Sequence, residues 1–66
     1  MNCTVNGEPR ELPEGITVQG LIEMLGMGDG ICAAEVDQKL VPKRERADVV
    51  LVDGQRVEIV SLIGGG

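Results

Sequence analysis

The chain opens on an alternation of apolar and polar positions, Cys3-Thr4-Val5, that stops at Asn6-Gly7. Period-two alternation marks a strand with one buried face. An Asn-Gly pair accepts the positive φ angles of a type I′ turn, so the chain is expected to reverse there into a second strand over 8–12. Pro9 cannot donate to a ladder, which assigns that strand to a sheet edge. Pro13-Glu14-Gly15 ends the hairpin, and the period then changes. Val18, Leu21, Ile22 and Leu25 share one face of a helix, with Gln19 and Glu23 on the wet side. The Thr17 hydroxyl is placed to accept from a free first-turn amide, and Gly26 and Gly28 are C-terminal cap candidates. Gly20 inside the helix costs about 1 kcal/mol relative to Ala, which points to close packing against the sheet.

The second half reads as strands. A small, continuously apolar run over 31–36 is expected to be a buried strand; Asp37-Gln38 turns it, and a return strand over 39–41 stops at Pro42. Lys43-Arg44-Glu45-Arg46 reads as a solvated charged loop. A short extended piece over 48–52 and the turn signal Asp53-Gly54 lead to the last strand, 56–62. Two hairpins flanking one helix make an α+β layer pair, and 66 residues leave room for one core. One helix covers only one face of the sheet. In the last strand Val57 and Ile59 fall on one side, and Glu58, Val60 and Leu62 on the other. With Val57 and Ile59 against the helix, Val60 and Leu62 form a candidate partner-docking patch on the open face.

Composition removes whole classes of function. There is no His, Trp, Tyr or Phe. Without an imidazole, Ser-His-Asp and Cys-His nucleophile systems are excluded; without aromatics, the stacking platforms of single-strand nucleic-acid binders are missing. Eleven acidic against six basic residues give a net charge of −5, which repels phosphate backbones and anionic membranes and suits a partner with a basic surface. Neither nucleic acid nor membrane is an expected partner. Cys3 and Cys32 form no C-x-x-C pair and have no His to complete a zinc site, so both are expected as reduced, packed thiols and no metal is expected. No signal peptide and no membrane-spanning run is visible, which sets the expectation of a cytoplasmic protein. Gly26-Met27-Gly28-Asp29-Gly30 follows a helix instead of opening one and lacks a Gly-Lys-Ser/Thr sequel, so it reads as a loop, not a phosphate cradle. The carboxylates are scattered singly, and none forms an evident acid–base pair.

The chain's last residues stand apart. Gly64-Gly65-Gly66 follows directly on an apolar strand. Three glycines bury nothing and cost backbone entropy, but they suit the delivery of a carboxylate through a narrow channel. With no Cβ, Gly64 and Gly65 give reach and thinness, and the carbonyl of Gly66 stays open to attack. The backbone remains free to pair with an enzyme's strand edge. A carboxylate is inert until it is given a better leaving group, so a partner enzyme is required.

These features resemble the thiamine-biosynthesis sulfur carriers (the ThiS family) over nearly the whole length. The residues that carry the resemblance are Met1-Asn2-Cys3-Thr4-Val5-Asn6-Gly7-Glu8, Thr17-Val18 with Leu21-Ile22 and Leu25-Gly26, and Val41-Pro42. Asp53-Gly54, Arg56-Val57-Glu58-Ile59-Val60 and the closing Gly64-Gly65-Gly66 complete it. The resemblance implies a ubiquitin-like β-grasp over 1–63, a mixed four- to five-stranded sheet on one helix with the last strand central, and a flexible Gly tail over 64–66. It also implies a co-substrate and not an enzyme, with no catalytic residue and no cofactor of its own. A ubiquitin-activating-type enzyme would use ATP to adenylate Gly66, and a cysteine-desulfurase or rhodanese-type donor would replace AMP to leave a thiocarboxylate. Thiazole synthase would accept the sulfur. The small subunit of molybdopterin synthase, a protein modifier conjugated through Gly66, and a passive interaction module are the alternatives. The absence of aromatics and the Ser61-Leu62-Ile63 approach count against the molybdopterin relative. Asp37-Gln38 in place of an Asn-Gly-type turn, Gln55 in place of an Asp, the lack of an aromatic over 44–47, and Cys3 in place of a larger aliphatic depart from the family pattern.

Overall fold

The computed structural model describes residues 1–28 and 30–62 of the 66. Its strands are β1 (Asn2–Val5), β2 (Glu8–Glu11), β3 (Cys32–Val36), β4 (Lys39–Leu40) and β5 (Arg56–Ser61), with one α-helix, α1 (Val18–Met24). The sheet order is β2-β1-β5-β3-β4, five strands with β5 at the centre. β5 runs parallel to β1 and antiparallel to β3. This is the β-grasp arrangement, with the last strand central as expected.

The first hairpin forms for the reason the sequence gives. Asn6 has φ 51° and Gly7 φ 84°, as a type I′ turn needs. Asn6 does a second job: its side-chain oxygen accepts from the Ile59 amide at 2.7 Å, carrying the β1–β5 ladder past the end of β1. Thr4 lies opposite Pro9 and sends its own amide away to the Gln55 carbonyl at 3.0 Å. Thr4–Pro9 is therefore a non-hydrogen-bonded pair, and the missing donor of Pro9 faces the free edge. Leu12 falls just beyond β2 but is buried.

α1 closes its amide account at both ends. Its first amides donate to the Val49 carbonyl, the Arg46 carbonyl and the Thr17 hydroxyl, each at 3.0 Å, before the regular ladder starts. At the far end Gly26, at φ 76°, donates to the Glu23 carbonyl and Met27 to that of Ile22, both at 3.0 Å. That is a Schellman cap built on Gly26; Gly28 takes no part in it. The expected reason for Gly20 needs correction. A Cβ there would stand 3.1 Å from Ile16 Cγ1 and 3.4 Å from Thr17 Oγ1, so the crowding comes from the segment entering the helix, not from the sheet.

Val18, Leu21 and Ile22 of α1 pack on Cys3, Val5, Cys32, Ala34, Val36, Val57 and Ile59 from the sheet. Both cysteines are free and buried within this core. Four other expectations are corrected. Ile31 lies outside β3 and is 65% exposed, because the alternation across 31–36 turns it to the open face. The return strand is two residues long, and Val41 leaves it to enter the core. Residues 48–52 form no strand: a single bridge joins Val50 to Thr17, since Thr17 turns at once into the helix cap. Lys43–Glu45 is a turn of 3-10 helix, and Arg46 beside it is buried rather than solvated.

At the second hairpin Asp37 and Gln38 have φ 50° and 70°, a type I′ geometry reached without glycine. Asp37 is held there by its carboxylate, which accepts from the Arg56 amide at 3.0 Å and from the Gln55 side chain at 3.4 Å. Gln38 is exposed, and its left-handed backbone costs about 1 kcal/mol. Gln38→Gly is expected to raise the thermal midpoint by roughly 5 °C, as followed by circular dichroism. A lowered midpoint would show that the turn carries no strain.

Candidate functional site

β5 positions the site. It begins beside the two turns at one end of the sheet, runs through the middle of the core, and leaves at the other end through Ser61 and Leu62. Its alternation is as expected: Val57 and Ile59 are buried, while Val60 and Leu62 are 54% and 60% exposed on the opposite face. Gly64, Gly65 and Gly66, the proposed tail and reacting carboxylate, lie outside the described residues, as does Ile63.

The antiparallel register with β3 shows what lies beside these two residues on the candidate docking face. Ala33 lies directly across from Val60, and the Leu62 amide donates to the Ile31 carbonyl at 2.9 Å, so Ile31 and Leu62 form the next rung. Ile31, Ala33, Val60 and Leu62 thus make a contiguous apolar patch on the uncovered face, at the end from which the chain leaves. The sequence reading found Val60 and Leu62 but not Ile31 and Ala33. Splitting the run 31–36 into its two faces would have put Ile31 and Ala33 on one face, but only the β3–β5 pairing sets that face beside Val60.

The adjoining rung, one step back along β5, is charged. Glu35 and Glu58 are direct cross-strand partners on the same open face, with Leu40 next to Glu35 on the β4 side. Among the described residues the ion pairs are Met1 N-terminus with Glu14 and Arg44 with Glu45, so neither Glu35 nor Glu58 is paired. Beyond Ile59, β5 has lost β1 as a neighbour, because that strand turns away at Asn6-Gly7. By the alternation of the ladder, the Ser61 amide points to this vacant side.

Behind the patch, a shallow cavity of about 220 Å³ is lined by Gly26, Met27, Gly30, Ile31, Cys32 and Ser61. Arg46 closes the wall behind Cys32: one guanidinium nitrogen donates to the Cys32 carbonyl at 2.6 Å and another approaches its Sγ at 3.7 Å. Nε of Arg46 has no partner. Among the described residues no cluster of His, Cys, Asp and Glu could hold a metal ion. Among the described residues no helix is long and apolar enough to cross a membrane. The described residues of this end of the sheet present an apolar patch and an outgoing strand.

A family model described as the ThiS family matches residues 3–66. Over all 66 residues the chain is 39% identical to a thiazole synthase of Paramagnetospirillum magneticum, and spans 20% of that protein's length. It is 27% identical to the sulfur carrier protein ThiS of Escherichia coli, over the whole of both chains. Among solved structures, the crystal structure of a thiamine biosynthesis protein (ThiS) from Geobacter metallireducens superposes with a TM-score of 0.84 at 28% identity, covering both chains completely.

Proposed function

The chain belongs to the ThiS family, and from that premise we propose that it is a sulfur carrier for thiazole formation in thiamine biosynthesis, working through the carboxylate of Gly66. A partner adenylating enzyme transfers the AMP moiety of ATP to this carboxylate and releases pyrophosphate. The outer sulfur of a cysteine persulfide on a donor of the desulfurase or rhodanese kind then displaces AMP to give an acyl disulfide, and a thiol cleaves this by forming a disulfide with the donor cysteine, leaving a thiocarboxylate. That group is ionised and strongly nucleophilic at neutral pH, whereas the parent carboxylate, though also ionised, is a poor nucleophile, and thiazole synthase takes its sulfur. The chain is a co-substrate throughout: the apolar rungs Ala33–Val60 and Ile31–Leu62 hold the partner, while Gly64 and Gly65 thread the end into its active site.

The observation that carries this reading is the match of the family model from residue 3 through to Gly66. The thiazole synthase relative adds to it, since a segment like this chain makes up a fifth of that protein. A carrier-like segment and a synthase joined in one polypeptide favour the same two partners meeting when they are separate. The test is the intact mass of the protein purified gently from its own cells after alkylation. A species in which sulfur has replaced one oxygen at Gly66 is the expected result. Higher-mass conjugates joined through Gly66 to lysines would replace this reading with that of a protein modifier.

A further inference from the structure

The carboxylate rung on the open face has a cost, and among the described residues no ion pair offsets it. Glu35 and Glu58 stand directly opposite each other on neighbouring strands, and like charges so placed repel and destabilise the sheet. Glu58 is half-buried, so water screens it only in part. The other groups facing this rung make no ion pair with it among the described residues. Leu40 flanks Glu35 on β4, and the β1 side is filled by the Asn6 turn. Arg56 shares the face one rung away on β5 but forms no ion pair with either acid. The rung leads without interruption into the apolar rungs Ala33–Val60 and Ile31–Leu62.

We infer that this face seats a cationic side chain of the adenylating enzyme, an arginine or lysine that sits between Glu35 and Glu58 while apolar neighbours cover Val60 and Leu62. The inference rests on the sulfur-carrier reading and adds to it the chemistry of the contact. Charge complementarity selects the occupant. A basic group relieves the repulsion on binding, whereas an acidic or neutral surface would bury two carboxylates with nothing to pair them. Spacing along the strand makes the contact specific. Leu62 lies four positions beyond Glu58, so the cation lies roughly 13 Å behind the last rung, measured along the path by which the chain leaves the domain. The partner reads the acidic rung and the outgoing strand with one rigid ruler, β5.

The signature of such a site is a trade between stability and binding. Glu35→Gln and Glu58→Gln should each raise the thermal midpoint of the free protein by roughly 1–5 °C. The same variants should bind the adenylating enzyme about tenfold more weakly at low salt, a difference that shrinks as salt is raised. Glu11→Gln removes the same charge from the same face but at the β2 edge, opposite Asn2, and serves as the control for net charge. It should leave affinity unchanged. Variants that are not stabilised, or that are stabilised but bind like the wild type, overturn the inference while wild-type adenylation proceeds. Equal weakening by Glu11→Gln also overturns it, in favour of unspecific charge attraction. If the wild-type chain is neither bound nor adenylated, the sulfur-carrier reading falls and this inference falls with it.

Discussion

Shortening the chain by Gly65 and Gly66 is expected to abolish adenylation while leaving the domain as stable as before. Two residues of extended chain reach about 7 Å, and a reacting group displaced by even 1 Å can lose about 100-fold in rate. Pyrophosphate release with the adenylating enzyme should therefore fall by at least about 100-fold. The last side chain of β5 to enter the core is Ile59, and Leu62 is already 60% exposed, so the melting curve should not move. Gly65→Ala is the finer version: one methyl group in a channel cut for glycine should impair activation without changing the thermal midpoint. Full activity in the shortened chain would show that the threaded end is not the reacting group.

The largest expected effect on stability lies at Arg46. Its guanidinium donates to the Cys32 carbonyl at 2.6 Å, and its own carbonyl accepts from the Gln19 amide at 3.0 Å. One residue thus ties the connection before β5 to the start of β3 and to the first turn of α1. Arg46→Ala leaves the Cys32 carbonyl without its donor and opens a cavity where the long side chain packed, a loss of about 2–3 kcal/mol. In a domain this small the thermal midpoint should drop by roughly 10–20 °C. Arg46→Met should recover most of that loss. It refills the space and removes a buried charge that has no carboxylate partner among the described residues. A midpoint unchanged by Arg46→Ala would mean that the burial of this side chain contributes nothing.

Arg46 also marks where reading from the sequence ends. It sits in a run of charged residues, and nothing local distinguishes it from Arg44, which is exposed; what buries it is a backbone carbonyl fourteen positions earlier in the chain. The features that were legible are those whose causes are local. Asn6-Gly7 announces its turn, Thr17 its helix, and Val57 and Ile59 their face, because each depends on near neighbours. Val60 and Leu62 were legible from alternation alone, but Ile31 and Ala33 join them only through the pairing of β3 with β5. The stretch 48–52 holds a β-branched, apolar run yet makes one bridge, because the residues opposite it are spent on capping the helix. Asp37-Gln38 departs from the expected turn chemistry without changing the turn, since two hydrogen bonds to the Asp37 carboxylate hold it.

The placement of β5 bears on how the protein is made. Its partners are β1, near the start of the domain, and β3, so the central strand is the last of the five to be made. Until residue 61 has cleared the exit tunnel, β1 and β3 have no strand between them and Val57 and Ile59 are missing from the core. A chain broken off before that point exposes two unpaired strand edges and is readily degraded. Only a polypeptide translated through β5 can close its core, and so proteolysis removes those that stop short of the strand that carries the exit path.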